Sequence, residues 1–359
     1  MVRRLPADLP AGVSAVGGVV RDVDGVARRL GHDLGARVTA HPRFGTASIE
    51  LPHGGRIDLV GARTETYDAP GALPSVEPGT LGDDLARRDF TVNAMALPLA
   101  GGGLVDPHGG AADCDARLVR ALRPDAFEED PSRLVRAARY AARLGFALEP
   151  GTEAAARTAA PPLDPGSARV GDELRRLLGE DAAPGALALL GDLGVPWIAG
   201  NAGRGLAALD AAGDQPAAPD VPRWALRLGA AVSPAVLPLL AVPGWARATG
   251  REAAEGVVLA QALGRARRPS ETDRALRSAP PATQIGALAH GAEAVALWWA
   301  GDRDRAPEVR GSDLVAAGVA PGPAIGRALA AVRAAVLDGE VGGRDDELTM
   351  ALRIAREDA

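Results

Sequence analysis

The spacing of apolar residues changes near residue 112, and that change limits the folds open to the chain. Before it, short β-forming runs alternate with glycine turns. Residues 14–18 (SAVGG), 36–40 (ARVTA), 46–51 (TASIEL) and 56–60 (RIDLV) are predicted strands, the last two joined as a hairpin across residues 52–55. After it, apolar residues recur every three or four positions. This predicts amphipathic helices over residues 131–144, 168–178, 185–193 and 323–336, with Pro/Gly-rich links at 160–166 and 216–222. The expected fold is therefore α+β, a mixed sheet with helices followed by a nearly all-α remainder. At 359 residues the chain has room for two or three domains. The adjacent Trp298 and Trp299 are expected in helix core.

Composition narrows the function. Hydrophobic residues make up 47% and charged residues 24%, and no apolar run is long enough to span a membrane, so a soluble globular protein is expected. Cys114 is the only cysteine, which excludes an internal disulfide or a cysteine-cluster zinc site and fits a reducing cytoplasm. The first residues, MVRRLPADLPAG, carry no apolar signal core, so export is not expected. All 40 basic residues are arginine, yet the net charge is −6, so any nucleic-acid site must be a local basic stripe on an acidic protein. Aromatic residues at 3% are too few for a base-stacking platform.

Three segments carry candidate chemistry. In Val16-Gly17-Gly18-Val19-Val20-Arg21-Asp22, two glycines stand between a strand and a helix start. There backbone N–H groups can approach a phosphate that Arg21 also reaches, although a plain tight turn needs the same glycines. In DLARRDFTVNAMA (residues 84–96), Arg88, Asp89 and Asn93 suit a phosphate and a ribose, although a solvated Arg/Asp cluster has the same composition. Asp106-Pro107-His108-Gly109-Gly110 follows as a predicted turn. In EEDPSRLVRAARY (residues 128–140), Asp130 can cap a helix that places Arg133 and Arg136 on its own side, with Arg139 and Arg143 continuing the stripe. Residues 117–143 hold seven arginines against four acids, a local excess of basic charge on an acidic chain. A carboxylate and a guanidinium on one helix face can read a base edge, and a solvated charged face is the plainer account of the same pattern.

In order and spacing, GGVVRD, HPRFGTASI, RIDLVGARTETYDAPGALPSV, DLARRDFTVNA, DPHGG and EEDPSRLVRAARYAARLGF together resemble the bacterial tRNA nucleotidyltransferase (CCA-adding) and poly(A) polymerase family. The resemblance covers roughly the first half of the chain. It implies a nucleotidyltransferase head over residues 1–112, a helical neck with a nucleotide-reading EDxxR helix over 113–180, and a helical body and tail over 181–359 that hold tRNA. It implies template-independent addition of CCA, or part of it, to tRNA 3′ ends from CTP and ATP with Mg²⁺, in the cytoplasm, with the tRNA acceptor arm as partner. Gly17, Gly18 and Arg21 would meet the triphosphate, and Arg88, Asp89 and Asn93 the phosphate and sugar. Asp130 and Arg133 would read the base, with Arg136 and Arg139 behind them. A poly(A) polymerase of the same family, or a catalytically impaired relative that binds tRNA or nucleotide, would carry the same motifs.

One part of the pattern is missing. The family holds its metal with an Asp-x-Asp on a strand, followed by a helix. Here GGVVRD runs directly into VDGVARRL, which resembles that helix, so the metal strand is expected to be absent between Asp22 and Val23. Asp22 and Asp24 are the remaining metal candidates, although three residues from Gly18 leave too little chain to return to a parallel neighbour. Asp58 in RIDLV is a candidate acidic ligand or a strand-end residue facing solvent.

Overall fold

The computed structural model describes residues 15–19, 22–41, 45–66, 75–98 and 101–357, with backbone only for 15–19, 65 and 66. Two compact units emerge, one of residues 1–163 with 193–195, the other of residues 164–192 with 196–359.

The first unit opens with β1 (Ala15–Val19), α1 (Val23–Leu34), β2 (Arg37–His41), β3 (Thr46–Glu50) and β4 (Arg56–Val60). The sheet order is β1-β4-β3-β2, with β1 parallel to β4 and the other neighbours antiparallel. The predicted hairpin is present. Ala47, Ile49, Ile57 and Leu59 alternate onto one face and pack beneath Val23 and Ala27 of α1. Burying each of the larger aliphatic side chains is worth about 1.5–3 kcal/mol. Asp22 starts α1 by accepting from the Gly25 amide at 2.9 Å, and Gly35 ends it in the left-handed conformation at φ 59°. The strand predicted over residues 14–18 is present as β1, in which Gly17 and Gly18 pair with Asp58 and Leu59 of β4.

β5 (Arg63–Thr66) and β6 (Ser75–Pro78) form a separate antiparallel pair. α2 (Leu81–Ala86), a 3₁₀ turn over Thr91–Asn93, α3 (Gly110–Ala116), β7 (Leu118–Val119), α4 (Ala126–Glu129), α5 (Ser132–Leu144), β8 (Ala147–Leu148) and α6 (Pro150–Ala159) complete the unit. The predicted DPHGG turn is present, Asp106 accepting from the amides of Gly110 and Ala111 at 2.7 and 2.9 Å.

The second unit is helical: α7 (Ala168–Gly179), α8 (Ala183–Leu193), α9 (Ala202–Gly213), α10 (Arg223–Ala231), α11 (Gly244–Leu263), α12 (Pro269–Ser278), α13 (Pro281–Ala289), α14 (Ala294–Leu297), α15 (Gly311–Ala316), α16 (Pro323–Leu337) and α17 (Arg344–Glu357). Trp298 and Trp299 are core residues, as expected, and both indole N–H groups are satisfied. Trp298 donates to Asp273 and Trp299 to Gln284, each at 2.8 Å. Glycines let the helices approach closely. A Cβ at Gly229 of α10 would lie 2.1 Å from the Gly250 carbonyl oxygen of α11, and one at Gly286 of α13 would lie 2.1 Å from the Ala253 carbonyl oxygen. Among the described residues no helix is long and apolar enough to cross a membrane.

Candidate nucleotide site

The RRDFTVN segment is held from both ends. On its N-terminal side α2 begins with a capping box, the Thr80 amide donating to Asp83 and the Asp83 amide to Thr80 Oγ1. One turn later the fully buried Asp84 accepts from Arg87 Nε at 3.1 Å and from Arg88 Nη2 at 3.0 Å. Spacings of three and four on one helix face produce this double pairing. Arg88 Nη1 also donates to the Asn93 carbonyl at 3.0 Å, while its buried Nε has no partner among the described residues.

Asp89 is the second anchor. Its Oδ1 accepts from the Phe90 amide at 2.9 Å and from Asn93 Nδ2 at 3.0 Å, and its Oδ2 accepts from Arg136 Nε of α5 at 2.7 Å. Phe90 and Ala94 are fully buried, which pins the backbone on both sides of Asn93. Tyr140 meets Phe90 edge-on at a ring separation of 6.0 Å, and the guanidinium groups of Arg136, Arg139 and Arg143 lie 5.5, 4.7 and 4.7 Å from its ring centre. The structure therefore brings together Arg88, Asp89, Asn93 and Arg136, residues up to 48 positions apart in sequence.

The start of α5 departs from the expected open stripe. Asp130 Oδ1 accepts from the Ser132 amide at 3.0 Å and from its hydroxyl at 2.6 Å, which begins the helix. Arg133 and Arg139 are buried. Arg133 Nη1 donates to the Ala126 carbonyl at 3.2 Å and to Glu129 at 3.0 Å, and Nη2 to the Arg87 carbonyl at 3.4 Å. Glu129 also takes Arg123. Arg133 is internal because α4 and the RRD segment supply its carboxylate and carbonyl partners on that side of α5. Only Arg117 and Arg143 of the seven arginines are exposed. Glu129 and Asp84 had no predicted role; the i, i+4 spacing of Glu129 to Arg133 and of Asp84 to Arg88 was the available signal.

The acidic candidates do not converge. Asp22 is exposed and caps α1, and Asp24 lies in the first turn of that helix. Asp58 accepts from Ser48 Oγ at 2.6 Å and pairs with Arg56 at 2.8 Å. Among the described residues no group of three or more His, Cys, Asp or Glu is placed to hold a metal ion. Gly17 and Gly18 lie in β1, and Arg21 lies outside the described residues.

A mixed sheet backed by one helix, with an Arg-Asp segment locked onto a following helix, is the architecture of a nucleotidyltransferase head. The family model for the poly(A) polymerase head domain matches residues 23–120, from the start of α1 to just beyond β7. A CC-adding tRNA nucleotidyltransferase of Deinococcus radiodurans is 37% identical over 319 residues, covering 86% of this chain and 76% of that protein. An A-adding tRNA nucleotidyltransferase of Aquifex aeolicus is 42% identical over 158 residues, 38% of this chain and 19% of that one. A solved CCA-adding enzyme in its apo form shares the fold, with a TM-score of 0.76 at 24% identity over 93% of this chain and 86% of its own. The chain belongs to the tRNA nucleotidyltransferase family.

Proposed function

We propose that this chain carries out the recognition half of its family's reaction, holding CTP or ATP at the RRDFTVN segment and α5 together with the 3′ end and acceptor arm of a tRNA. The observation that carries this reading is the joining of Arg88, Asp89, Asn93 and Arg136 into one bonded group in a chain 37% identical to a CC-adding enzyme. The unpartnered Nε of Arg88 is a donor suited to a phosphate oxygen, and Asn93, whose side-chain amide is held by Asp89, would meet the sugar. Asp130 and Arg133 would read the base edge, with Arg136 and Arg139 supporting the triphosphate, and Gly17, Gly18 and Arg21 the phosphate side. Residues 1–112 would act as head, 113–180 as neck and 181–359 as tRNA-holding body and tail. The single, half-buried Cys114 supports a cytoplasmic setting.

In the complete reaction the tRNA 3′-oxygen bonds to the α-phosphorus of CTP or ATP, the bond to the bridging oxygen breaks, pyrophosphate leaves and the hydroxyl proton passes to solvent. Mg²⁺ would supply charge neutralisation at the phosphates. The described residues do not fit it, because Asp22 caps α1, Asp24 lies in the first turn of that helix, and Asp58 is bonded to Ser48 and Arg56 on β4. The contribution assigned to this chain is binding and orientation.

Arg133→Ala is expected to weaken CTP and ATP binding by roughly 1–3 kcal/mol, the cost of unpaired polar partners. Since Arg133 is tied to Glu129 and two carbonyls, the variant's fold must be verified by circular dichroism. Unchanged calorimetric affinity for both nucleotides would refute the base-reading role. Binding to tRNA lacking its CCA end is expected to weaken as salt rises, because neutralised phosphates release counterions. Affinity that stays flat with salt, or no binding at low salt, would remove tRNA as the partner.

A further inference from the structure

Asp84 has no exposed surface, and it lies one turn before the arginines of the RRDFTVN segment. Leu85 beside it is equally buried, so this end of α2 is anchored in the interior of the first unit. The carboxylate is shared. Its Oδ1 accepts from Arg87 Nε at 3.1 Å and Nη2 at 2.5 Å, and its Oδ2 accepts from Arg88 Nη2 at 3.0 Å. Two guanidinium groups on one carboxylate leave a positive charge over.

The two arginines are not equivalent. Arg87 sets two nitrogens on one carboxylate oxygen and keeps 18% of its side chain exposed, whereas Arg88 keeps 32%. Arg88 is clamped at both ends, Nη2 on Asp84 and Nη1 on the Asn93 carbonyl at 3.0 Å, so its guanidinium plane is set before any ligand arrives. An arginine fixed in this way loses little rotamer freedom when it meets a phosphate. A carboxylate given to Arg88 alone would cancel its charge. Arg87 takes the other oxygen, which leaves Arg88 oriented and still cationic.

We infer that Asp84 is a positioning residue for nucleotide binding, which acts through Arg88 by holding that guanidinium toward the phosphates of CTP or ATP. This rests on the recognition role proposed above and extends it to a side chain that does not itself touch the nucleotide.

Affinities for CTP and ATP are measured by calorimetry on the full chain in a double-mutant cycle of Asp84→Asn and Arg88→Gln, with each variant's fold checked by circular dichroism. Asp84→Asn keeps the shape of the side chain and is expected to weaken both nucleotides about fivefold, the difference between a charge-assisted and a neutral hydrogen bond. Phosphates are common to both nucleotides, so the ratio of CTP to ATP affinity is expected to stay the same. In the Arg88→Gln background, Asp84→Asn is expected to change neither affinity by more than about twofold, since its route to the ligand is already gone. A residue that only supported the fold would multiply its loss onto that of Arg88→Gln. Such a product overturns the inference, as does natural affinity in folded Asp84→Asn. A changed ratio of CTP to ATP affinity also overturns it, because the effect would then pass through Arg87, whose carbonyl holds Arg133, and not through Arg88. Should Asp84→Asn not fold, the same cycle run with Arg87→Gln in every variant, which removes a positive charge alongside the negative one, decides. If the natural chain binds neither nucleotide, the recognition role fails and the positioning role falls with it. If it binds them and the cycle is additive, only the positioning role fails.

Discussion

Asp273→Ala is expected to destabilise the second unit by about 3–5 kcal/mol, read from chemical denaturation by circular dichroism. The carboxylate is buried and accepts from Arg333 Nε at 2.9 Å and Nη2 at 2.8 Å, from Arg277 Nε at 3.0 Å and from Trp298 Nε1 at 2.8 Å. Removing it leaves the mostly buried Arg333 and the indole of a core tryptophan without their acceptor. A loss below about 1 kcal/mol would mean that the arginines find other acceptors at no cost. The same group sets an acid limit. Burial raises the Asp273 pKa, but the hydrogen bonds from Arg333 and Trp298 and the nearby positive charges outweigh it, so the carboxyl titrates below its ordinary value. Asp210 behaves alike, its burial outweighed by Arg227 and Arg223. A folded pKa below the unfolded one stabilises the fold above the unfolded value of about 3.9 and loses that stabilisation as pH falls through the folded value. The acid transition should therefore be shallower in Asp273→Asn than in the natural chain.

Asp89→Ala should have the largest effect on ligand binding. It removes the acceptor shared by Arg136, Asn93 and the Phe90 amide, so the two halves of the candidate site lose their common anchor. We expect CTP affinity to fall at least about tenfold with a stability loss near 3 kcal/mol, measured by calorimetry and denaturation at a temperature where the variant is folded. Asp89→Asn keeps the shape but not the charge and should lie between. If the folded alanine variant bound CTP as the natural chain does, the Asp89 group would be structural support only.

The elements that read most clearly from sequence have one strong local cause each. α5 carries a continuous apolar face and ends at Gly145, and the β3-β4 hairpin alternates its buried residues. The strand holding Gly17 and Gly18 was legible but its neighbour was not, because its partner β4 is some 40 residues away. The site was legible as a set of residues but not as a geometry. Which arginine is buried depends on acceptors from other segments: Arg133 is held by Ala126, Glu129 and Arg87, and Arg136 by Asp89. Charge counting over residues 117–143 could not distinguish a solvated stripe from one partly buried in ion pairs.

The glycine contacts of α11 fix how the second unit can deform. Gly250 sits against the α10 backbone beside Gly229, and Gly256 against the α13 backbone beside Gly286. Were α11 to ratchet by a turn, the smallest residue to enter either crossing would be an alanine at 246, 253, 254 or 260. A methyl has no space there, since a Cβ built on Gly256 lies 2.3 Å from the Gly286 carbonyl carbon and one on Gly250 lies 2.8 Å from Leu228 Cβ. Sliding is thus blocked in both directions along the axis, so α10, α11 and α13 carry a load as a single beam and leave bending to the segments that connect them to the remaining helices.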